Sequence, residues 1–167
     1  MALSASMPRS VAHGIDDVHA LKDQIVGPSA WREVSQEMID SFAELTGDDQ
    51  WIHTDVERAK TESPFGTTIA HGNLTLSLID GMRKELSEWS GFKLGINYGW
   101  NKVRFPAPVP SGSHVRCYAQ IVEITNLGGG WHQIVTRFTV EIEGAEKPAC
   151  VADSVGRALV EEPSERG

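Results

Sequence analysis

The spacing of apolar residues divides the chain into a helical first half and a second half of alternating strands. Apolar residues recur at helical spacing over residues 36–45 and 71–89, and a shorter helix is expected over residues 15–26. From Phe92 onward, apolar and polar residues alternate in four segments, as they do on half-buried strands. The predicted fold class is therefore α+β, with helices on one side of an antiparallel sheet.

Turn-forming and capping residues mark the ends of these elements. Ser35 is expected to cap the helix over residues 36–45, and Gly47 to provide the left-handed turn that ends it. Asp55 is a second expected N-cap, for a short helix that follows a polar loop. The strands are predicted over residues 31–34, 92–105, 114–127, 131–144 and 148–160.

Length and composition favour one ordinary domain. The 167 residues suit a single core: residues 1–12 are expected to be disordered, residues 13–160 to form the domain, and residues 161–167 a tail. The net charge is −8 and no basic run is present, which argues against a nucleic-acid partner. No apolar stretch approaches the roughly 18 residues of a membrane span, and no signal-peptide pattern opens the chain. Cys117 and Cys150 are predicted to be buried free thiols, and we expect a cytoplasmic protein with neither membrane nor nucleic-acid partners.

The candidate chemistry lies between the predicted helix over residues 36–45 and the short helix that Asp55 is expected to cap. Asp48 precedes His53 by five residues on a polar loop, and loops held between rigid elements often carry catalytic groups. A carboxylate and an imidazole together can orient a water and transfer its protons. On residue types alone, a helix cap and a surface histidine would explain the pair equally well.

The segment over residues 42–59 resembles the hydratase motif of the MaoC-like (R)-specific enoyl-CoA hydratases. The positions that match are Phe42, Leu45, Thr46, Gly47, Asp48, Ile52, His53 and Ala59. Gln50 stands where the motif has Asn, and Trp51 where it has Pro; both are possible substrate contacts. This Gln-Trp variant resembles the NodN-like and mycobacterial branch of the family.

A second segment, residues 64–79, resembles the family's entry into its central helix, where His-Gly opens the helix. The resemblance implies that the backbone N–H of Gly72 faces the thioester carbonyl. Helix N-terminal N–H groups are unpaired and partly positive, so they can stabilise an enolate oxygen. His71 is a possible substrate contact or a structural histidine. Residues 101–116 resemble the family's strand pair, which extends the likeness over residues 31–160.

The resemblance implies a single hotdog domain, in which the antiparallel sheet wraps around the long central helix. It implies reversible hydration of trans-2-enoyl thioesters of coenzyme A or acyl carrier protein to (R)-3-hydroxyacyl thioesters. Asp48 and His53 would be catalytic, without a metal or redox cofactor, in a homodimer. Lys102 and Arg104 alternate on one predicted strand and are possible contacts to coenzyme A phosphates, or part of a solvated strand face.

Two alternatives remain open at this point. Other hotdog proteins hydrolyse thioesters, although the spacing of Asp48 and His53 argues against that reaction. A non-catalytic acyl-binding subunit of a dehydratase would share the fold, but such subunits tend to lose the pair that this chain keeps. Fold alone distinguishes none of these functions.

Overall fold

The computed structural model describes residues 9–160. The expectations for residues 1–8 and for the tail at residues 161–167 lie outside this range. The elements in chain order are β1 (Ser10–His13), α1 (Gly14–Ala20), β2 (Ile25–Val26), β3 (Arg32–Val34), α2 (Gln36–Thr46), α3 (Trp51–Thr54), α4 (Val56–Glu62), α5 (Gly72–Leu86), β4 (Ser87–Ser90), β5 (Phe92–Arg104), β6 (Ser113–Gly128), β7 (Trp131–Ile142) and β8 (Cys150–Val160).

The four long strands form an antiparallel sheet in the order β6-β7-β8-β5. Two short strands, β2 and β3, both pair with β6 at its outer edge and complete a six-stranded sheet. The glycines at positions 128–130 all have positive φ and turn the chain from β6 into β7. The four predicted antiparallel strands are therefore confirmed, and β5 pairs with β8 rather than with β6, its neighbour in sequence.

Helix α5 packs against this sheet, so the predicted layout of a sheet around a long central helix is confirmed. The helix has 15 residues and buries one side, formed by Leu74, Thr75, Ile79, Met82 and Leu86. The sheet side of the same core is formed by Val115, Cys117, Phe138, Val140, Cys150 and Ala152. Cys117 and Cys150 are buried free thiols, as predicted, and burial raises the pKa of Cys117 to about 12 and that of Cys150 to about 11.

The helix predicted over residues 15–26 ends early. Helix α1 stops at Ala20, and Asp23 adopts a positive φ of 66°. The backbone N–H of Asp23 donates to the carbonyl of Ile121, 2.9 Å away, and Ile25 and Val26 then pair with β6. Sheet pairing has overridden a helical pattern that was only local.

The helix predicted over residues 71–89 also ends early, at Leu86, because the next four residues form a strand. Strand β4 pairs in parallel with β1. Residues 10–12 were expected to be disordered, and that expectation was wrong: they belong to β1, and Ala12 is fully buried. A second, smaller cluster of buried residues covers this two-stranded unit: Ala12, Val18, Ile121, Ile134 and Ala158.

Candidate active site

The loop that carries the predicted pair is fixed at both ends by the expected caps. The Ser35 hydroxyl accepts a hydrogen bond from the N–H of Met38, 3.3 Å away, and Gly47 ends α2 with φ 75°. The carboxylate of Asp55 accepts from the N–H of Arg58 at 3.0 Å and starts α4. Between them the chain is not a plain loop as expected: Trp51–Thr54 forms the short helix α3.

The structure brings Asp48 and His53 together and adds His71 to them. A carboxylate oxygen of Asp48 and one ring nitrogen from each histidine all lie within 4.8 Å of one another. Asp48 is exposed to solvent, whereas His53 is only 9% exposed. A solvent-exposed carboxylate therefore lies within 4.8 Å of a mostly buried imidazole.

His53 is held in one tautomer by the backbone. Its Nδ1–H donates to the carbonyl of Ile69 at 2.7 Å. The N–H of Ile69 in turn donates to the carbonyl of Ile52, and the N–H of Ala70 to that of Val109. Because Nδ1 carries the proton in this bond, Nε2 keeps a lone pair that can accept a proton.

His71 packs directly on His53. The two imidazole rings stack with centroids 3.8 Å apart and planes inclined by 27°. Nε2–H of His71 donates to the backbone carbonyl of Asp48 at 2.9 Å, and the Phe42 ring lies 5.1 Å away. His71 is 3% exposed, so it belongs to the wall of the site rather than to its opening.

Gln36 and Thr68 also support His53, and neither role was predicted from the sequence. The amide Nε2–H of Gln36 donates to the carbonyl of His53 at 2.8 Å and to a carboxylate oxygen of Asp40 at 2.7 Å. Its carbonyl oxygen accepts from the hydroxyl of Thr68, which is 1% exposed. A Gln36–Asp40 pair four residues apart on a helix is an ordinary surface pattern, so the sequence carried no signal of this role.

Gly72 begins α5 immediately after His71, so the positive end of the helix lies beside the cluster. A Cβ added to Gly72 would lie 2.8 Å from two ring carbons of Phe105. As in any helix, the N–H groups of the first turn of α5 have no partner within the helix. The role that the family resemblance implies for Gly72 stays a prediction.

The remaining predicted site residues are not members of this group of three close side chains. Gln50 is the exposed N-cap residue of α3 without a side-chain cap bond, and the Arg58 guanidinium covers the Trp51 ring at 4.2 Å. Lys102 and Arg104 lie on the face of β5 opposite Val103, which packs into the core. Lys102 faces Asp153 across the β5–β8 pair. The structure therefore does not bring these two cations to His53.

The three clustered side chains do not fit a metal ion well. Within residues 9–160, they form the only group of three histidine, cysteine or acidic residues close enough to share a metal. Nitrogen lone pairs lie in the ring planes, and the planes of His53 and His71 run nearly parallel rather than converging on one point. The expected absence of a metal stays a prediction.

A cavity of about 450 Å³ lies between the sheet and the C-terminal end of α5, away from Asp48 and His53. Its floor is apolar, with Ile121, Ile134 and Phe138, and Arg83 and Lys84 stand at its rim. In the part of the chain that the structure describes, no helix is long and apolar enough to cross a membrane.

Comparison with known proteins agrees with this geometry. A family model described as the MaoC like domain matches residues 17–142. The 3-hydroxyacyl-thioester dehydratase Z of Mycobacterium tuberculosis is 50% identical over 143 residues, which cover 86% of this chain and 94% of that protein. Nodulation protein N of Rhizobium leguminosarum bv. viciae is 43% identical over 138 residues, which cover 82% of this chain and 86% of that protein.

One solved structure combines high coverage with a close match in shape. The monoamine oxidase regulatory protein from Archaeoglobus fulgius superposes with a TM-score of 0.76 at 26% identity, covering 94% of this chain and 100% of that one. This structural likeness and the family match over most of the chain indicate the same family. The chain belongs to the MaoC-like dehydratase family and has the hotdog fold of that family.

Proposed function

We propose that this protein interconverts trans-2-enoyl thioesters and (R)-3-hydroxyacyl thioesters by adding and removing water. The observation that carries the proposal is the meeting of the Asp48 carboxylate and the His53 imidazole, with Asp48 open to solvent. The name of the mycobacterial relative, a 3-hydroxyacyl-thioester dehydratase, supports the same reaction class.

In the hydration direction, Asp48 and His53 hold one water over the β-carbon of the enoyl thioester. The water oxygen bonds to that carbon as one member of the pair accepts its proton. A proton then passes to the α-carbon from the same face, so the elements of water are added across the double bond. The bare Nε2 of His53 and the exposed carboxylate of Asp48 are both able to accept that proton.

Charge develops on the thioester oxygen as the new C–O bond forms. We assign its stabilisation to the backbone N–H of Gly72 at the N-terminus of α5. Such N–H groups have no partner within the helix and are aligned with its dipole. Donors fixed before the reaction lower the barrier because they need no rearrangement when the charge appears.

The substrate is a thioester of coenzyme A or of acyl carrier protein, and the protein needs no metal or redox cofactor for this reaction. We propose that it works as a homodimer. Arg104 immediately precedes Phe105, whose ring lies against Gly72. Contact of Arg104 or Lys102 with coenzyme A phosphates stays a prediction.

The test is hydration of crotonyl-CoA and of a longer trans-2-enoyl-CoA, followed as loss of absorbance at the conjugated enoyl thioester band. Asp48→Asn is compared with Asp49→Asn, because Asp49 is an exposed neighbour outside the cluster. We expect Asp48→Asn to lower kcat by roughly 100- to 10,000-fold, the usual contribution of general acid–base catalysis, and Asp49→Asn to leave it unchanged.

Two product assays complete this experiment. Chiral chromatography of the released acid should give the (R)-3-hydroxy form, and a thiol reagent should detect no free coenzyme A. Release of free thiol at a rate that depends on Asp48 would instead establish thioester hydrolysis. Equal activity of Asp48→Asn and wild type would disprove the proposed role of the pair.

A further inference from the structure

His71 occupies the N-cap position of α5 but does not cap the helix. Its backbone is extended, with φ −59° and ψ 139°, and its side chain makes no cap hydrogen bond. N-cap positions favour Ser, Thr, Asp and Asn because those side chains bind the exposed N–H groups. The imidazole instead points toward the backbone carbonyl of Asp48, and it is 3% exposed.

The position of the Asp48 side chain depends mainly on the hydrogen bonds of the Asp48 backbone. Within residues 9–160, no hydrogen bond reaches that carboxylate, and the Asp48 N–H makes only a long contact of 3.4 Å to the Thr46 hydroxyl. The 2.9 Å bond from Nε2–H of His71 to the Asp48 carbonyl is therefore the shortest hydrogen bond to this residue. It joins residues that are 23 positions apart in the chain.

The same imidazole also sets the place of His53. Its ring covers the His53 ring at 3.8 Å, while the bond from His53 to the Ile69 carbonyl fixes the rotation of that ring in its plane. One side chain thus contacts both members of the pair: the backbone of Asp48 and the ring of His53. His71 also leads directly into Gly72, so all three groups of the proposed mechanism are tied to it.

We propose that His71 is a positioning residue, which sets the separation of Asp48 and His53 through its bond to the Asp48 carbonyl and its stacking on His53. This inference rests on the proposed function. Its Nδ1 is buried without a partner. A ring so enclosed contacts the pair rather than the substrate, which distinguishes this role from the substrate contact considered from sequence.

Two substitutions separate the contacts of His71. His71→Phe keeps a flat ring against His53 and removes the N–H donor, whereas His71→Gln replaces the ring and can place its amide N–H near the position of Nε2. We expect His71→Phe to lower kcat roughly 10- to 100-fold with KM unchanged, because misplacement by about 1 Å costs that much. His71→Gln should recover part of the lost kcat, because it keeps an N–H donor but loses the stacking on His53.

A second readout does not depend on activity. Hydrogen–deuterium exchange of the peptide that covers residues 47–53 should be faster in His71→Phe than in wild type, and close to wild type in His71→Gln. His132→Phe is the control, since His132 also has a buried Nδ1 without a partner but lies on β7. It should change neither kcat nor the exchange of that peptide.

The outcomes keep the two proposals apart. If wild type hydrates enoyl thioesters and His71→Phe matches it in kcat and exchange, the positioning role is wrong and the proposed function stands. A raised KM with unchanged kcat would make His71 a substrate contact. Exchange of residues 47–53 that is equally fast in both variants would rule out the hydrogen bond as the cause. If wild type is inactive, the proposed function fails, and the exchange comparison alone decides whether His71 holds the loop.

Discussion

Phe105 and Gly72 can lie in contact only because Gly72 has no side chain: a Cβ there would be 2.8 Å from two carbons of the Phe105 ring. Phe105 directly follows β5, and Gly72 begins α5, so this contact joins the end of a sheet strand to the positive end of the central helix. The glycine of the family motif is thus required by packing as well as by the chemistry proposed for its N–H.

Gly72→Ala should therefore destabilise the fold even though alanine favours helices. The backbone at Gly72 is not in the left-handed region, so the expected cost comes from overpacking against Phe105, and it is about 1 kcal/mol because this ring is 43% exposed and can turn toward solvent. Urea unfolding of Gly72→Ala, Phe105→Ala and the double variant measures it. The double variant should be more stable than the sum of the single effects predicts, because removing the ring removes the clash. Strict additivity would show that the ring is not the cause.

Gln36 should matter for stability far more than an exposed glutamine does. Gln36→Leu leaves the buried Thr68 hydroxyl and the His53 carbonyl without their partner, and unpaired buried groups cost about 1–3 kcal/mol each. Gln24→Leu is the matched control, because Gln24 makes one exposed bond to the carbonyl of Ala20. Thermal and urea unfolding should show a clear loss for Gln36→Leu and little for the control. Equal effects would mean that Gln36 does not support the site.

The features that the sequence predicted well are those that depend on near neighbours. Ser35, Gly47 and Asp55 act within three or four residues of their own positions, so their roles follow from residue type and spacing. The bond between His71 and Asp48 spans 23 residues, and that between Gln36 and Thr68 spans 32. No local pattern distinguishes such partners from ordinary polar residues.

The same difference explains the errors in the fold. The segments at residues 25–26 and 87–90 have no strong pattern of their own, and each became a strand because a distant strand was available to pair with it. Lys102 and Arg104 were correctly placed on one face of a strand. The sequence did not predict which face of β5 packs against the core. Val103 lies on that face, and the register of β5 is irregular between Trp100 and Lys102.

The ion pair between Arg137 and Asp153, on the outer face of the sheet, should make the free energy of unfolding decrease at acid pH. Two hydrogen bonds of 2.8 and 2.9 Å from Arg137 hold the pKa of Asp153 below its ordinary value. Burial of the carboxyl acts to raise this pKa, whereas the positive charges of Arg137 and Lys102 lower it further. A carboxyl whose pKa is lower in the folded state stabilises the fold above the pKa of the unfolded state. That contribution is lost as pH falls through the folded pKa.

Asp153→Asn should accordingly lower the free energy of unfolding at pH 7 by about 0.5–1 kcal/mol, a modest value because the Arg137 side chain is 46% exposed. The gap between variant and wild type should begin to narrow below about pH 4, the pKa of an unperturbed Asp, and should close as the pH falls through the lower pKa of the folded carboxyl. Urea unfolding of both proteins across this range measures the effect. A gap that stays constant down to pH 3 would mean that the charge of Asp153 is not responsible.

The free edge of β5 is the place where a second copy of the chain is expected to bind. Strand β5 pairs only with β8 among the described residues, and three of its large apolar side chains are exposed: Leu94, Ile96 and Tyr98. An unpaired edge strand with apolar side chains readily accepts another strand, and natural sheets cover or charge such edges. The chain does not place Pro or a run of charge there, which agrees with the proposed homodimer.

Leu94→Lys should therefore shift the protein from dimer to monomer in sedimentation velocity experiments at micromolar concentration. A lysine buried between the two copies would leave its charge without a partner, and this cost weakens association. Leu127→Lys is the matched control, since Leu127 is similarly exposed but lies at the end of β6. A wild-type monomer would contradict the homodimer, and a dimer that survives Leu94→Lys but not Leu127→Lys would move the interface away from β5.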